Sequence, residues 1–228
     1  MSGLTMDVGR PRMRFDANVN IVCDGNSLTA GDGGTAYPAQ MKLLAPLNNI
    51  VTVANCGRNG RTTTGLVFND AELFHVATKT NIYVVQELSN ALANTPSLTG
   101  PAACQQMTNH IANVKTLRYW RRVVLLTCEP RQTSAGAAQT LDLNARIDAA
   151  NAYMRANFKA MGADALVDLR APGSPFNIPD YAMQTFEDFA ASSGLWKANE
   201  AGQHVHLNTA GYGIKAQMVA AVLSQLRG

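Results

Sequence analysis

Four short stretches of this 228-residue chain hold residue types suited to chemistry at a carbonyl group. Asp24-Gly25-Asn26-Ser27-Leu28-Thr29-Ala30-Gly31 places a hydroxyl among small residues. Asn55-Cys56-Gly57-Arg58-Asn59-Gly60-Arg61-Thr62 offers glycine N–H groups, and Gln86-Glu87-Leu88-Ser89-Asn90 offers a side-chain amide. His204-Val205-His206-Leu207-Asn208 brings imidazole. A nucleophile, oxyanion donors and a base are the parts of an acyl-transfer site. A serine hydroxyl is inert near neutral pH until a base takes its proton, and an imidazole with an ordinary pKa near 6.5 can be that base.

Other chemistries are poorly served. Gly31-Asp32-Gly33-Gly34 lacks the Gly-Lys-Ser/Thr that completes a phosphate loop. His204, His206 and Glu200 find no third ligand at a recognisable metal spacing. Cys23, Cys56, Cys104 and Cys128 form no CxxC pair and are expected as reduced, buried thiols. His75 and His110 fall in helical segments and read as surface or packing residues.

Positioning those stretches requires a sheet. Five short apolar runs rich in β-branched residues occur at 19–23, 50–54, 82–85, 123–127 and 165–169. Each is nearly continuous, as in strands buried on both faces of a parallel sheet, and their spacing leaves room for a crossover helix. Helical patterns are expected at 38–44, 63–77, 102–119, 141–161 and 209–226, the last opening on Asn208-Thr209 as cap candidates. Alternating β and α predicts a three-layer α/β/α sandwich with a five-stranded parallel sheet in flavodoxin-like order. In such sheets ligands bind at the carboxyl ends of strands, where three of the stretches lie. One domain spans 1–228, with an N-terminal extension at 1–16 and a long, weakly periodic loop at 171–203 near the site. Tyr181, Phe186, Phe189 and Trp196 either wall a substrate pocket or pin that loop down.

Composition narrows the partners. The chain is 46% hydrophobic and 15% charged, with 19 Lys+Arg against 16 Asp+Glu, net +3. Such a small, dispersed excess with 7% aromatics is no nucleic-acid footprint. No apolar run approaches the ~18 residues of a spanning helix, so no membrane partner is expected. Residues 1–15 carry Arg10, Arg12 and Arg14 but no apolar core, so no secretory signal is read. Cytoplasmic residence is then the default, with virion or extracellular settings open. Oligomeric state is not legible.

The four stretches, in order across about residues 18–226, resemble the blocks of the SGNH (GDSL-like) hydrolases. The first is similar to the Gly-Asp-Ser-Leu block, which implies Ser27 as nucleophile. The second implies Gly60 as a backbone donor, and the third, like the family's Gly-x-Asn-Asp block, implies Asn90 as a side-chain donor. His206-Leu207-Asn208 resembles the block carrying the catalytic histidine, which implies His206 as base. There are departures: Asn26 stands where the family has Asp, and Leu88 and Ala91 replace Gly and Asp. Gln203 occupies the place of the acid three residues before the histidine. Gln203, Glu200, a carboxylate of the long loop (Asp180, Glu187 or Asp188) and a backbone carbonyl are equal candidates for orienting His206.

The resemblance implies a cofactor-free serine esterase that cleaves carboxylic esters through an acyl-enzyme. Short acyl groups, such as acetyl, on carbohydrate are the favoured substrates, because no amphipathic lid suggests long lipid chains. The alternatives are a lipase- or thioesterase-like hydrolase, or a degenerate, non-catalytic carbohydrate-binding module on the same fold.

Overall fold

The structure is a computed structural model, described here for residues 11–66, 71–117, 119–132, 137–177, 193–198 and 204–227. The apolar runs become parallel strands β1 (Val19–Gly25), β2 (Thr52–Asn55), β3 (Thr80–Gln86), β4 (Trp120–Leu126) and β5 (Ala165–Val167). Their order is β2-β1-β3-β4-β5, the flavodoxin-like arrangement expected from sequence. Central strands β1 and β3 pair in register from Val19↔Thr80 to Gly25↔Gln86, so their carboxyl ends stop level with each other. That common edge sets the rim on which the following loops stand.

Side-chain alternation divides the core in two. Ile21, Cys23, Ile82, Val84, Val124 and Leu126 face helices α2 (Tyr37–Met41) and α6 (Thr209–Leu223), packing on Tyr37, Met41, Tyr212, Val219 and Leu223. Val22, Tyr83, Val85, Val123 and Leu125 face α4 (Gly100–Thr116) and α5 (Ala137–Asn157), packing on Met107, Ile111, Ile147 and Met154. This is the three-layer sandwich. All four cysteines are free and buried, as expected. Burial raises their pKa, that of Cys23 to about 12, which keeps the thiols protonated and inert.

Several elements depart from the sequence reading. Two one- or two-turn helices were not anticipated, α1 (Ser27–Ala30) and α3 (Ser89–Asn94), each directly after a central strand. The helix expected at 63–77 is reduced to a 3₁₀ turn at Thr63–Gly65 and helical geometry at 71–72; residues 67–70 lie outside the description. β-branched and polar residues there, Thr62 to Thr64, favour turn hydrogen bonds over helix propagation. His204 belongs to β7 (His204–Leu207), antiparallel to β6 (Trp196–Ala198). Trp196 is 5% exposed and meets Phe176 edge-on at 5.8 Å, so it is anchored in the core. Tyr181, Phe186 and Phe189 lie outside the described residues.

Candidate active site

Ser27 opens α1 immediately beyond β1. Asn26 caps that helix, its Oδ1 accepting from Leu28 N at 2.8 Å, and Gly31 ends it in the left-handed region at φ 95°. The Ser27 carbonyl accepts from Gly31 N at 2.9 Å and Asp32 N at 3.1 Å, so the single turn is closed at both ends. Its hydroxyl is thereby presented from a tight strand-to-helix corner.

His206 arrives from 179 residues away, and its Nε2 lies 2.9 Å from Ser27 Oγ. The approach depends on two glycines. A Cβ on Gly33 would stand 2.6 Å from the Leu207 carbonyl oxygen, and one on Gly34 would stand 2.4 Å from Thr209 N. Only glycine lets the loop after α1 run against β7 this closely. The Gly31–Gly34 stretch is thus a docking seam for the histidine strand. On its other flank β7 is held by Gln132, whose N donates to His204 O at 3.1 Å and whose Oε1 accepts from His204 N at 2.8 Å. Asn208 then caps α6 by accepting from Gly211 N, as the sequence suggests.

Gly60 and Asn90 are tied to the same rim through their neighbours. Asn59 donates to Asp32 Oδ2 at 3.2 Å, and Asn90 Nδ2 donates to the Arg61 carbonyl at 2.9 Å, so Gly60 sits between two anchored residues. Its φ is +74° and it is exposed, with an open face where a Cβ would point. On the other side Asn26 Nδ2 donates to Ser89 Oγ at 3.1 Å, joining the residue before Ser27 to the residue before Asn90. The Asn90 amide orientation is determined by its partners. Arg131 can only donate, and its Nη1 lies 2.5 Å from Asn90 Oδ1, while the Arg61 carbonyl can only accept.

The departure at residue 26 has a local explanation. Glu87, fully buried, accepts from Asn90 N at 2.9 Å and Ala91 N at 3.4 Å, capping α3. It also accepts from the Thr63 hydroxyl and from Asn26 Nδ2 at 3.4 Å. A carboxylate therefore already occupies the space beside residue 26, which calls for an amide donor rather than the family's aspartate. Burial raises the Glu87 pKa, opposed by these hydrogen bonds.

Two charged groups flank the imidazole, and sequence reasoning assigned a role to neither. Asp32 Oδ2 lies 3.7 Å from His206 Nε2, and the Arg131 guanidinium acts from the Asn90 side. Burial lowers the His206 pKa; Asp32 raises it in part and Arg131 lowers it further. A neutral imidazole able to accept the serine proton is the outcome. Arg131 follows β4, so the strand-end rule that selected the other stretches applies to it equally. Gln203, Glu200, Asp180, Glu187 and Asp188, the candidates for orienting His206, all lie outside the described residues.

Below the rim, Arg61 Nη1 donates to Asp24 Oδ1 at 2.6 Å, and Asp24 Oδ2 accepts from Tyr83 OH at 2.7 Å. Tyr83 OH is in turn 2.8 Å from His110 Nε2. His110 is thus a packing residue whose pKa burial lowers to about 4. Among the described residues no group of three or more His, Cys, Asp or Glu side chains could hold a metal ion. Nor is any of their helices long and apolar enough to cross a membrane.

No family model and no curated protein matches this chain in sequence. Solved structures do match it. A member of the lipolytic G-D-S-L family from Veillonella parvula superposes with a TM-score of 0.63 at 15% identity, over 91% of this chain and 100% of its own. An alpha/beta hydrolase enzyme from the metagenome of Lake Arreo gives 0.62 at 19% identity, over 95% and 100%. A GDSL-like lipase from Bacteroides thetaiotaomicron gives 0.60 at 17% identity, over 90% and 87%. At such identities the likeness is one of architecture, and it agrees with the block order read from the sequence: this chain has the SGNH (GDSL-like) hydrolase fold.

Proposed function

We propose that the protein is a serine esterase that hydrolyses carboxylic esters through an acyl-enzyme. The 2.9 Å contact between Ser27 Oγ and His206 Nε2, made across 179 residues at a strand-end rim, is the observation that carries the reading. Ser27 attacks the carbonyl carbon and His206 takes its proton. The oxyanion is received by the N–H groups of Ser27 and Gly60 and by the Asn90 amide. His206 then gives the proton to the departing alcohol, and the sequence repeats with water. No step in this scheme needs a cofactor.

Short acyl groups, such as acetyl, on carbohydrate are the substrates we favour. The rim between Asp32, Asn59 and the exposed Gly60 is polar, which suits a hydroxylated alcohol better than a lipid tail. Hydrolysis of p-nitrophenyl acetate and of acetylated sugars by the wild type and by Ser27→Ala tests the reading. We expect Ser27→Ala to lose at least ~10³-fold in kcat, as removal of a serine nucleophile does. A covalent serine probe should label Ser27. Wild-type turnover no higher than the variant's would instead favour a binding module on this scaffold.

A further inference from the structure

Arg131 is a half-buried cation with no ion pair among the described residues. Its backbone is clamped to α5: Arg131 N donates to Asn144 Oδ1 at 3.0 Å and Asn144 Nδ2 donates back to Arg131 O at 2.9 Å. Nη1 makes the 2.5 Å bond to Asn90 Oδ1, while Nε is buried with no hydrogen-bond partner. No ion pair of the described residues includes it. The nearby acid, Glu87, is committed to Thr63, Asn26 and the α3 N-terminus. Desolvation lowers the Arg131 pKa and the charge of Glu87 opposes the shift, while the guanidinium's hydrogen bond goes to an amide oxygen rather than to an acid.

The atom next to Arg131 is the acceptor end of the proposed oxyanion donor. One Asn90 amide hydrogen is held by the Arg61 carbonyl, and the other is uncommitted among the described residues. A guanidinium on Oδ1 draws electron density from the amide and makes that second N–H a stronger donor. It also forbids the flipped amide, which would set an oxygen against the oxyanion. Resting on the esterase reading above, we infer that Arg131 is a positioning residue of the oxyanion hole. It fixes the Asn90 amide and supplies the positive charge against which the tetrahedral oxyanion forms.

The oxyanion is then a further countercharge, formed only during the reaction. Ser27 Oγ bonds to the carbonyl carbon, its proton moves to His206 Nε2, and the C=O π pair becomes the oxyanion. When the C–O bond to the alcohol breaks, that pair returns to the carbonyl and the proton leaves with the alcohol oxygen. Stabilisation that appears only with the oxyanion lowers the barrier without tightening substrate binding.

The experiment compares Arg131→Met, Arg131→Lys and Arg131→Ala with wild type, using p-nitrophenyl acetate turnover, thermal unfolding and labelling of Ser27. For Arg131→Met we expect kcat to fall about 30- to 300-fold with KM within about threefold, the pattern of a lost transition-state contact. Tm should stay within about 3 °C, because the half-buried guanidinium makes no ion pair among the described residues. Arg131→Lys should keep more activity than Arg131→Met, and tens of millimolar guanidinium should partly restore Arg131→Ala. Retained kcat in Arg131→Met, with wild type active and Ser27 labelled, overturns the role and leaves the esterase reading standing. A change confined to KM overturns it in favour of substrate-anion recognition. A collapse of Tm in both Arg131→Met and Arg131→Lys, with activity lost only in proportion to unfolding, overturns it in favour of a structural role. Absence of turnover and labelling in the wild type removes the esterase reading itself.

Discussion

Lys215 and Arg131, two cations a few elements apart, are held in different ways. Lys215, fully buried on α6 beneath α1, ion-pairs with Glu129 at 2.8 Å. It also donates to the Leu28 carbonyl at 3.2 Å and to the Gln86 side chain, and lies over the Tyr37 ring at 4.8 Å. Burial lowers its pKa and Glu129 opposes the shift. The Arg131 side chain, half-buried beside the rim, makes one hydrogen bond, to Asn90, and no ion pair among the described residues. The floor of the site thus rests on a buried ion pair, while its wall holds a cation on an amide oxygen.

The largest expected effect comes from breaking the floor. Lys215→Met leaves Glu129 buried and unpaired, which should cost about 3–5 kcal/mol. At about 2–4 °C per kcal/mol for a chain of this size, Tm should drop by roughly 6–20 °C, measured by calorimetry. Lys215→Met with Glu129→Leu should recover most of that loss. If the single variant unfolds within 2 °C of wild type, the contrast with Arg131 is wrong.

The next effect is acid sensitivity, again from the floor. His110 titrates near 6.5 when unfolded and at about 4 when folded, so the unfolded state binds more protons between those values. Stability should therefore fall as pH drops from about 6.5 to about 4, by roughly 3 kcal/mol, and show no further change from this group below that. His110→Gln should flatten urea-unfolding free energies across that window.

A smaller effect should follow at the junction of floor and rim. Asn26→Asp restores the family's residue but sets it against Glu87, replacing an N–H donor with an acceptor. We expect a loss of about 1–3 kcal/mol at pH 7, since a buried acceptor loses its donor, easing at acid pH as one carboxyl protonates. The smallest change belongs to Asp32→Asn at the open rim. Asp32 favours protonated His206, so its loss should move the acid limb of kcat/KM to lower pH by less than about one unit, as for an exposed ion pair. An acid limb that moves upward instead would show that Asp32 does not act on the imidazole.

Much of this arrangement is readable before any coordinates. β1 and β3 were located to within two residues because strands covered on both faces are continuously apolar, and a run such as Val123 to Leu126 has little else to become. Three of the four stretches follow from the rule that chemistry collects at strand carboxyl ends, and the resemblance to the SGNH family singled out Ser27, Gly60, Asn90 and His206 within the four. The same rule, carried one strand further, reaches Arg131. What concealed it is that a single arginine after Glu129-Pro130 looks like ordinary loop solvation until Asn90 is seen beside it. Asp32 was hidden by two glycines that resembled a phosphate loop, whereas Gly33 and Gly34 exist to admit a strand. The helix expected at 63–77 failed because local side-chain hydrogen bonds around Thr62 to Thr64 outcompeted an apolar pattern.

The separation of Ser27 and His206 also orders events in time. On the ribosome, β1 and its serine emerge early, yet the imidazole reaches them only once β7 has been made and seated against Gly33 and Gly34. A nascent chain consequently forms the hydroxyl corner before the imidazole that contacts it has been made.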